Sequence, residues 1–220
     1  MSFHPERFIE VALKNHVLRF GEFTLKSGRK SPYFFNAGLL STGELLSVLA
    51  EGYADTLAKH ANQDDLVIFG AAYKGIPFVA ATAQVLWREH QINAEWGYNR
   101  KEAKDHGEGG MLVGADLNGK SVWVIDDVMT AGTAMREVIT LLDKAGASVA
   151  GIIVALDRKE KGQSDQSAIQ ELAESLQVPV LALVTMVGDI NSLNCVANSF
   201  SLQSLTDKGS LTTQTPARLA

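Results

Sequence analysis

Cysteine is almost missing from this sequence of 220 residues, in which Cys195 stands alone. One thiol makes no internal disulfide and supplies no cysteine-based metal cluster. Long apolar runs are missing too: no stretch approaches the roughly 20 residues a membrane helix needs. The first ten residues, MSFHPERFIE, carry charge where a secretory leader has its apolar core. These absences point to a reducing, cytoplasmic setting with no membrane partner. An excess of positive charge is lacking as well. Twenty Lys and Arg stand against 25 Asp and Glu, a formal charge of −5, which argues against nucleic-acid binding through overall charge. What is present is ordinary for one soluble domain with a proper core, 46% hydrophobic and 20% charged residues.

Periodicity divides the chain. From His4 to Gly21 apolar residues fall at 8, 9, 12, 13, 17 and 20. That spacing predicts one amphipathic helix, with Pro5 at a first helical position and Gly21 as its C-terminal cap. The stretch FTLKSGRKSPYFFNAG (23–38) alternates and turns at Ser27-Gly28, which predicts a hairpin. A second amphipathic helix follows Ser41-Thr42 and runs to about residue 60. Beyond it apolar strands alternate with helical patterns: LVIFGA (66–71), a helix over about 76–89, NAEWGYN (93–99), SVWVID (121–126), SVAGIIVALD (148–157) and PVLALVTM (179–186). The pattern predicts an α/β fold, with a central, mainly parallel five-stranded sheet flanked by helices. Segment 101–120 interrupts the alternation with five glycines and both signs of charge, and reads as a long mobile loop with at most a weak hairpin. The polar tail after Leu205 reads as frayed, and 187–205 matches no motif.

Chemistry concentrates at VWVIDDVMTAGTA (122–134). A strand ending in this way sets Asp126 and Asp127 at the carboxyl edge of the sheet, where open α/β sheets bind ligands. The next residues, Thr130-Ala131-Gly132-Thr133, are small, so backbone N–H groups can approach a ligand. A helix opening near Ala134 adds the positive end of its dipole, and Thr130 and Thr133 add hydroxyl donors. A phosphate monoester fits this turn. It carries neither the Walker A spacing nor the dinucleotide fingerprint. The plainer alternative is a strand-to-helix connection in which Asp127 caps the helix.

This stretch resembles the phosphoribosyl-diphosphate (PRPP) binding motif of the type I phosphoribosyltransferases. The resemblance implies that Asp126 and Asp127 face the ribose hydroxyls. It also implies that the turn of Thr130, Ala131, Gly132, Thr133 and Ala134 holds the 5-phosphate of PRPP, with Val128 and Met129 among the PRPP-binding residues. Further segments resemble orotate phosphoribosyltransferase. FTLKSGRKSPYFFNAG is similar to that family's N-terminal segment, which implies Lys26 at the diphosphate and Phe34 and Phe35 at the base site. AAYKGIP (71–77) resembles its diphosphate loop, carrying over Tyr73 and Lys74. NRKEAKDHGEGG (99–110) resembles its mobile catalytic loop, carrying over Arg100, Lys101, Lys104 and His106. LDRKEKG (156–162) supplies Arg158, which with Thr130 would contact orotate.

The resemblance implies one domain over 1–220, with a core at about 41–186 and a small hood drawn mainly from 1–40 and the C-terminal part. It implies transfer of the phosphoribosyl group from PRPP to orotate, in UMP synthesis. Catalysis would rest on Lys104, Asp126 and Asp127. Mg²⁺ would be held mainly through PRPP and water rather than by direct protein ligands. A homodimer is implied, its mobile loop reaching the neighbouring subunit's site. A purine phosphoribosyltransferase shares the donor motif but not the Phe34-Phe35 and Arg158 contexts. A PRPP-binding regulator would need a basic face that a chain of charge −5 does not advertise.

Overall fold

The computed structural model describes residues 3–24, 30–104, 110–129, 132–159, 167–187 and 194–196. Helix α1 (Pro5–Lys14) leads into a two-stranded antiparallel ribbon, β1 (Leu18–Thr24) and β2 (Lys30–Phe35). Then come α2 (Gly43–His60), β3 (Val67–Gly70), α3 (Gly75–His90), β4 (Glu95–Lys104), β5 (Gly110–Gly114), β6 (Ser121–Met129) and α4 (Thr133–Lys144). The chain continues with β7 (Ser148–Asp157), α5 (Ala168–Leu176), β8 (Val180–Val187) and β9 (Asn194–Val196).

The first helix is shorter than its periodicity predicts. It ends at Lys14, where the Asn15 side chain donates to the Val11 carbonyl and His16 turns into the left-handed region at φ 59°. Val17 and Leu18 are buried, but beyond the helix, Val17 in the bend before β1 and Leu18 as its first residue. Gly21 caps nothing: at φ 147° it sits in the register irregularity between Phe20 and Phe23, where a bulge favours glycine. Helix α2 starts as expected, with the Thr42 hydroxyl accepting from Leu45 N.

The sheet order is β5-β4-β3-β6-β7-β8-β9. Strands β4, β3, β6, β7 and β8 pair in parallel, as expected of five apolar strands. Two antiparallel strands extend it to seven, β5 beside β4 and β9 beside β8. Within segment 101–120 the hairpin half of the expectation holds and the single long loop does not. Residues 101–104 prolong β4, and Leu112 and Val113 pair with Asn99 and Tyr98. Glycines flanking 111–113 hid a three-residue apolar core that is too short to register as a strand by period. The tip of this hairpin, the turn at Ser27-Gly28 and the tail after Leu205 lie outside the described residues.

Alternation along the strands feeds two layers. Ile68, Trp123, Ile125 and Ile153 pack with α1, α2 and α3, while Val67, Phe69, Val124 and Val154 pack with α4 and α5. Burial on both faces explains why these strands read as continuous apolar runs. From β3 the chain winds outward through α3 to β4, and from β6 the other way through α4 to β7. The carboxyl ends of β3 and β6 thus flank a topological switch point, where a crevice opens. The β3–α3 turn closes onto itself there. A Cβ on Gly70 would lie 2.1 Å from the Gly75 carbonyl oxygen, and one on Gly75 would lie 2.6 Å from the Gly70 carbonyl carbon. Only glycine permits this approach.

Candidate active site

Strand β6 does not end at Asp126 as its sequence suggests but pairs with β7 through Met129, so Asp126 and Asp127 enter the crevice two to three residues before its end. Asp127 is 9% exposed, and its carboxylate accepts from the Lys74 ammonium at 2.7 Å. Its backbone N–H donates to the Asp126 carboxylate at 2.8 Å. From α2 below, the Tyr53 hydroxyl donates to the Asp126 backbone carbonyl at 2.7 Å. Burial of Asp126, reinforced by the neighbouring Asp127 charge, raises its pKa from 3.8 to about 7. The Asp127 N–H and the Lys74 charge pull the other way. Burial, then the two aspartate charges, push the Tyr53 hydroxyl well above its ordinary value of 10, so it stays a donor.

This raised pKa has a consequence for stability. Between pH 3.8 and about 7 the folded chain holds the Asp126 proton more tightly than the unfolded chain does. Stability therefore falls as pH rises through that window. Asp126→Asn is expected to raise the melting temperature of the ligand-free protein, most at pH 8, with the gain closing below about pH 4. A gain of equal size at every pH in a thermal-melt series would refute this origin.

Opposite the acids, Gly132 opens α4 at φ 75°, a left-handed conformation that favours glycine. Residues 132–135 together with Asp126, Val128 and Met129 line a cavity of ≈ 240 Å³. No acidic residue occupies the first turn of α4, so nothing there offsets the positive helix end that an anion would meet. Thr133 and Ala134 lie at that helix start, as the sequence motif requires.

The β3–α3 turn supplies cations. Lys74 is the residue bridged to Asp127, and Tyr73 stands 67% exposed beside it. The Lys101 ammonium lies 5.7 Å from the Tyr73 ring centroid, and the Ala72 N–H donates to the Asn99 side chain, tying the turn to β4. Arg100 donates to the Gly110 carbonyl across the β4–β5 hairpin. The turn, the hairpin base and the acids are thus one neighbourhood. Lys26, His106, Thr130 and Ala131 lie outside the described residues. The backbone of Lys104 ends β4, and its side chain lies outside them too.

The ribbon presents its two faces differently. Phe35 is 8% exposed and packs its ring against Phe8 at 6.4 Å. Phe34 faces the other way, its ring 5.6 Å from that of Phe23, with the Arg19 guanidinium 5.6 Å above it. Alternation along a strand allows only one of two adjacent rings to face the core. Arg158, just beyond β7, approaches the Phe35 side: it donates to the Ser31 hydroxyl and lies over the Tyr33 ring. The structure does not bring Phe34 and Arg158 onto one face of the ribbon.

Sequence reading missed Tyr53, whose position in an apolar helix looks like core, and Ser31, Tyr33 and Arg19, whose contacts are not sequence-local. It also passed over residues 114–121, GADLNGKS, which fit the Walker A spacing. That loop requires a strand before it and a helix after it. Here it joins β5 to β6, and Lys120 is paired with Glu95 at 2.6 Å. Among the described residues no group of three or more His, Cys, Asp or Glu converges as a metal cage, and no helix is long and apolar enough to cross a membrane.

An acidic pair near the end of a central strand, sharing a cavity with an anion-ready helix start at the switch point, is the arrangement expected of a phosphoribosyltransferase domain. The family model described in those words, "Phosphoribosyl transferase domain", matches residues 41–179. Orotate phosphoribosyltransferase of Acinetobacter baumannii is 66% identical over 186 residues, covering 84% of this chain and 85% of that protein. The Acinetobacter baylyi enzyme of the same name is 61% identical over 206 residues, 94% of each chain. The crystal structure of the Francisella tularensis enzyme matches with a TM-score of 0.72 at 49% identity, covering 81% of this chain and 85% of that one. The chain belongs to the orotate phosphoribosyltransferase family and is a pentosyltransferase.

Proposed function

We propose that this protein transfers the 5-phosphoribosyl group from PRPP to orotate, giving orotidine 5′-monophosphate and diphosphate. What carries the donor half is the acidic pair, its Lys74 bridge and the anion-ready cavity at one switch point. The acceptor half rests on kinship with the orotate enzymes. In this reading the phosphate sits at the start of α4 and the ribose hydroxyls face Asp126 and Asp127. The orotate ring nitrogen bonds to the anomeric carbon and gives up its proton. The carbon–oxygen bond to diphosphate breaks, and its electron pair leaves with the diphosphate.

Lys74 links the two halves. In the ligand-free site it neutralises Asp127 at 2.7 Å. An arriving diphosphate competes for that ammonium, while the ribose takes over the carboxylates. Lys101, Arg100, Lys26, Lys104 and His106 would add positive charge around the departing group. One preorganised charge contact is worth about 3–4 kcal/mol of barrier. The buried Asp126 carboxyl, holding its proton to about pH 7, suits a site that later meets positive charge, so the residues fit a divalent cation. Mg²⁺ would be held mainly through the PRPP oxygens and water, with Asp126 and Asp127 acting through the ribose hydroxyls rather than as direct ligands, and would supply electrostatic neutralisation of the diphosphate.

The segment α1–β1–β2 would serve as the hood over the core. A homodimer is part of the reading, supported by Trp87 on α3 and Trp96 on β4, both large and exposed. The assay is loss of orotate absorbance, with PRPP and Mg²⁺ present and after chelation, against uracil, adenine and hypoxanthine as rival acceptors. PRPP- and metal-dependent consumption of orotate ahead of the others is expected. Preference for a purine would overturn the reading.

A further inference from the structure

We propose that Ser31 and Tyr33 are positioning residues that fix the Arg158 guanidinium for the carboxylate of the acceptor, and so help set acceptor specificity. The proposal rests on the reading of orotate as acceptor and of Arg158 as its contact. Ser31 and Tyr33 are 5% and 4% exposed, on the inward face of β2. A serine hydroxyl has one proton to give. Here it goes to the Tyr33 carbonyl at 2.7 Å, which aims the oxygen lone pairs elsewhere. One of them accepts from Arg158 Nη2 at 3.1 Å.

The Tyr33 ring completes the hold. The guanidinium carbon lies 5.1 Å from its centroid, within range of a cation–π contact. A hydrogen bond at one terminal nitrogen and a ring beneath the group leave a flat, five-donor fork with little freedom to rotate. Arginine held in this way meets a planar carboxylate through paired N–H groups, and the geometry is lost when the fork swings. Asp157 does not compete through its bonded oxygens: they accept from Lys159 N at 2.8 Å and from the Lys159 ammonium at 3.0 Å. The end of β7 pairs with the end of β6, Met129 against Asp157, so the fork is anchored beside the strand that carries the acidic pair.

Orotate differs from uracil by the ring carboxylate, so the two acceptors separate this role from a general loss of structure. Ser31→Ala is expected to raise the KM for orotate about tenfold, with kcat and the KM for PRPP within about twofold of the parent. Turnover with uracil should not change, so the preference for orotate falls about tenfold. Ser31→Thr, which keeps a hydroxyl, and Tyr33→Phe, which keeps the ring, should retain the parental preference, and Tyr33→Leu should lose it. Should Tyr33→Leu fail to fold, the Ser31 pair still decides, because Ser31→Ala removes a single oxygen. Equal losses on orotate and uracil, or an unchanged KM for orotate in Ser31→Ala, would overturn the proposal. Failure of the parent protein to use orotate would instead sink the functional reading beneath it.

Discussion

Replacing Asp126 and Asp127 together by asparagine is expected to abolish orotate turnover, by more than about a thousandfold, and to leave a cooperatively folding protein. Each aspartate has a separate task, which is why the double change should exceed the effect of one lost contact. Asp127 holds the Lys74 ammonium at 2.7 Å and donates its N–H to Asp126. Asp126 lines the cavity that faces the start of α4. Asparagine keeps the shape of both side chains but removes the charge that the nascent ribose cation would meet. Folding should survive because the ionised Asp126 carboxylate is itself a burden on the folded state, as its raised pKa records. Persisting orotate consumption by a folded double variant would show that the acids do not face the ribose.

Lys104→Ala is expected to lower kcat at least about a hundredfold, with most PRPP affinity retained. Its residue ends β4 at the base of a hairpin whose other strand starts at Gly110. Arg100 on the same strand is fastened to the Gly110 carbonyl, and Lys101 leans toward Tyr73. The base of the hairpin therefore stands next to the β3–α3 turn, with Lys101 the cation it brings there. A near-native kcat in steady-state kinetics would remove Lys104 from catalysis. Mixing Lys104→Ala with the double aspartate variant extends the test to the dimer. Hybrids should regain part of the activity if sites are shared, and no recovery in demonstrated heterodimers would argue that each subunit works alone.

The sheet was legible because its central strands are apolar on both faces, so residues 66–69 and 122–125 read as uninterrupted runs, while the extension of β6 past its aspartates to Met129 did not. The end of α1 was not legible. Val17 and Phe20 satisfy helical spacing as well as they fill a strand, and the break at Asn15–His16 lies in backbone angles that composition does not display. Strand β5 was hidden by its glycines. At the site, the acidic pair and Gly132 were plain in one short motif because their partners are sequence neighbours. Tyr53 was not, since its ring belongs to the core of α2 and only its hydroxyl reaches the Asp126 carbonyl, 73 residues away. Phe34 and Phe35 show both sides: alternation separates the two rings, but which ring turns inward is decided by α1, through Phe8.

The tie between Arg158 and Ser31 spans 127 residues, and that separation sets an order of events during synthesis. The ribbon leaves the ribosome early and must wait for β7 to be translated. At about 5–20 residues per second the delay is roughly 6–25 s. Throughout it the face bearing Ser31 and Tyr33 lacks the arginine it is shaped to hold. On the proposed function, the acceptor side would thus be completed late in the life of the nascent chain, after the β3–α3 turn and the β6 acids of the donor side have already emerged.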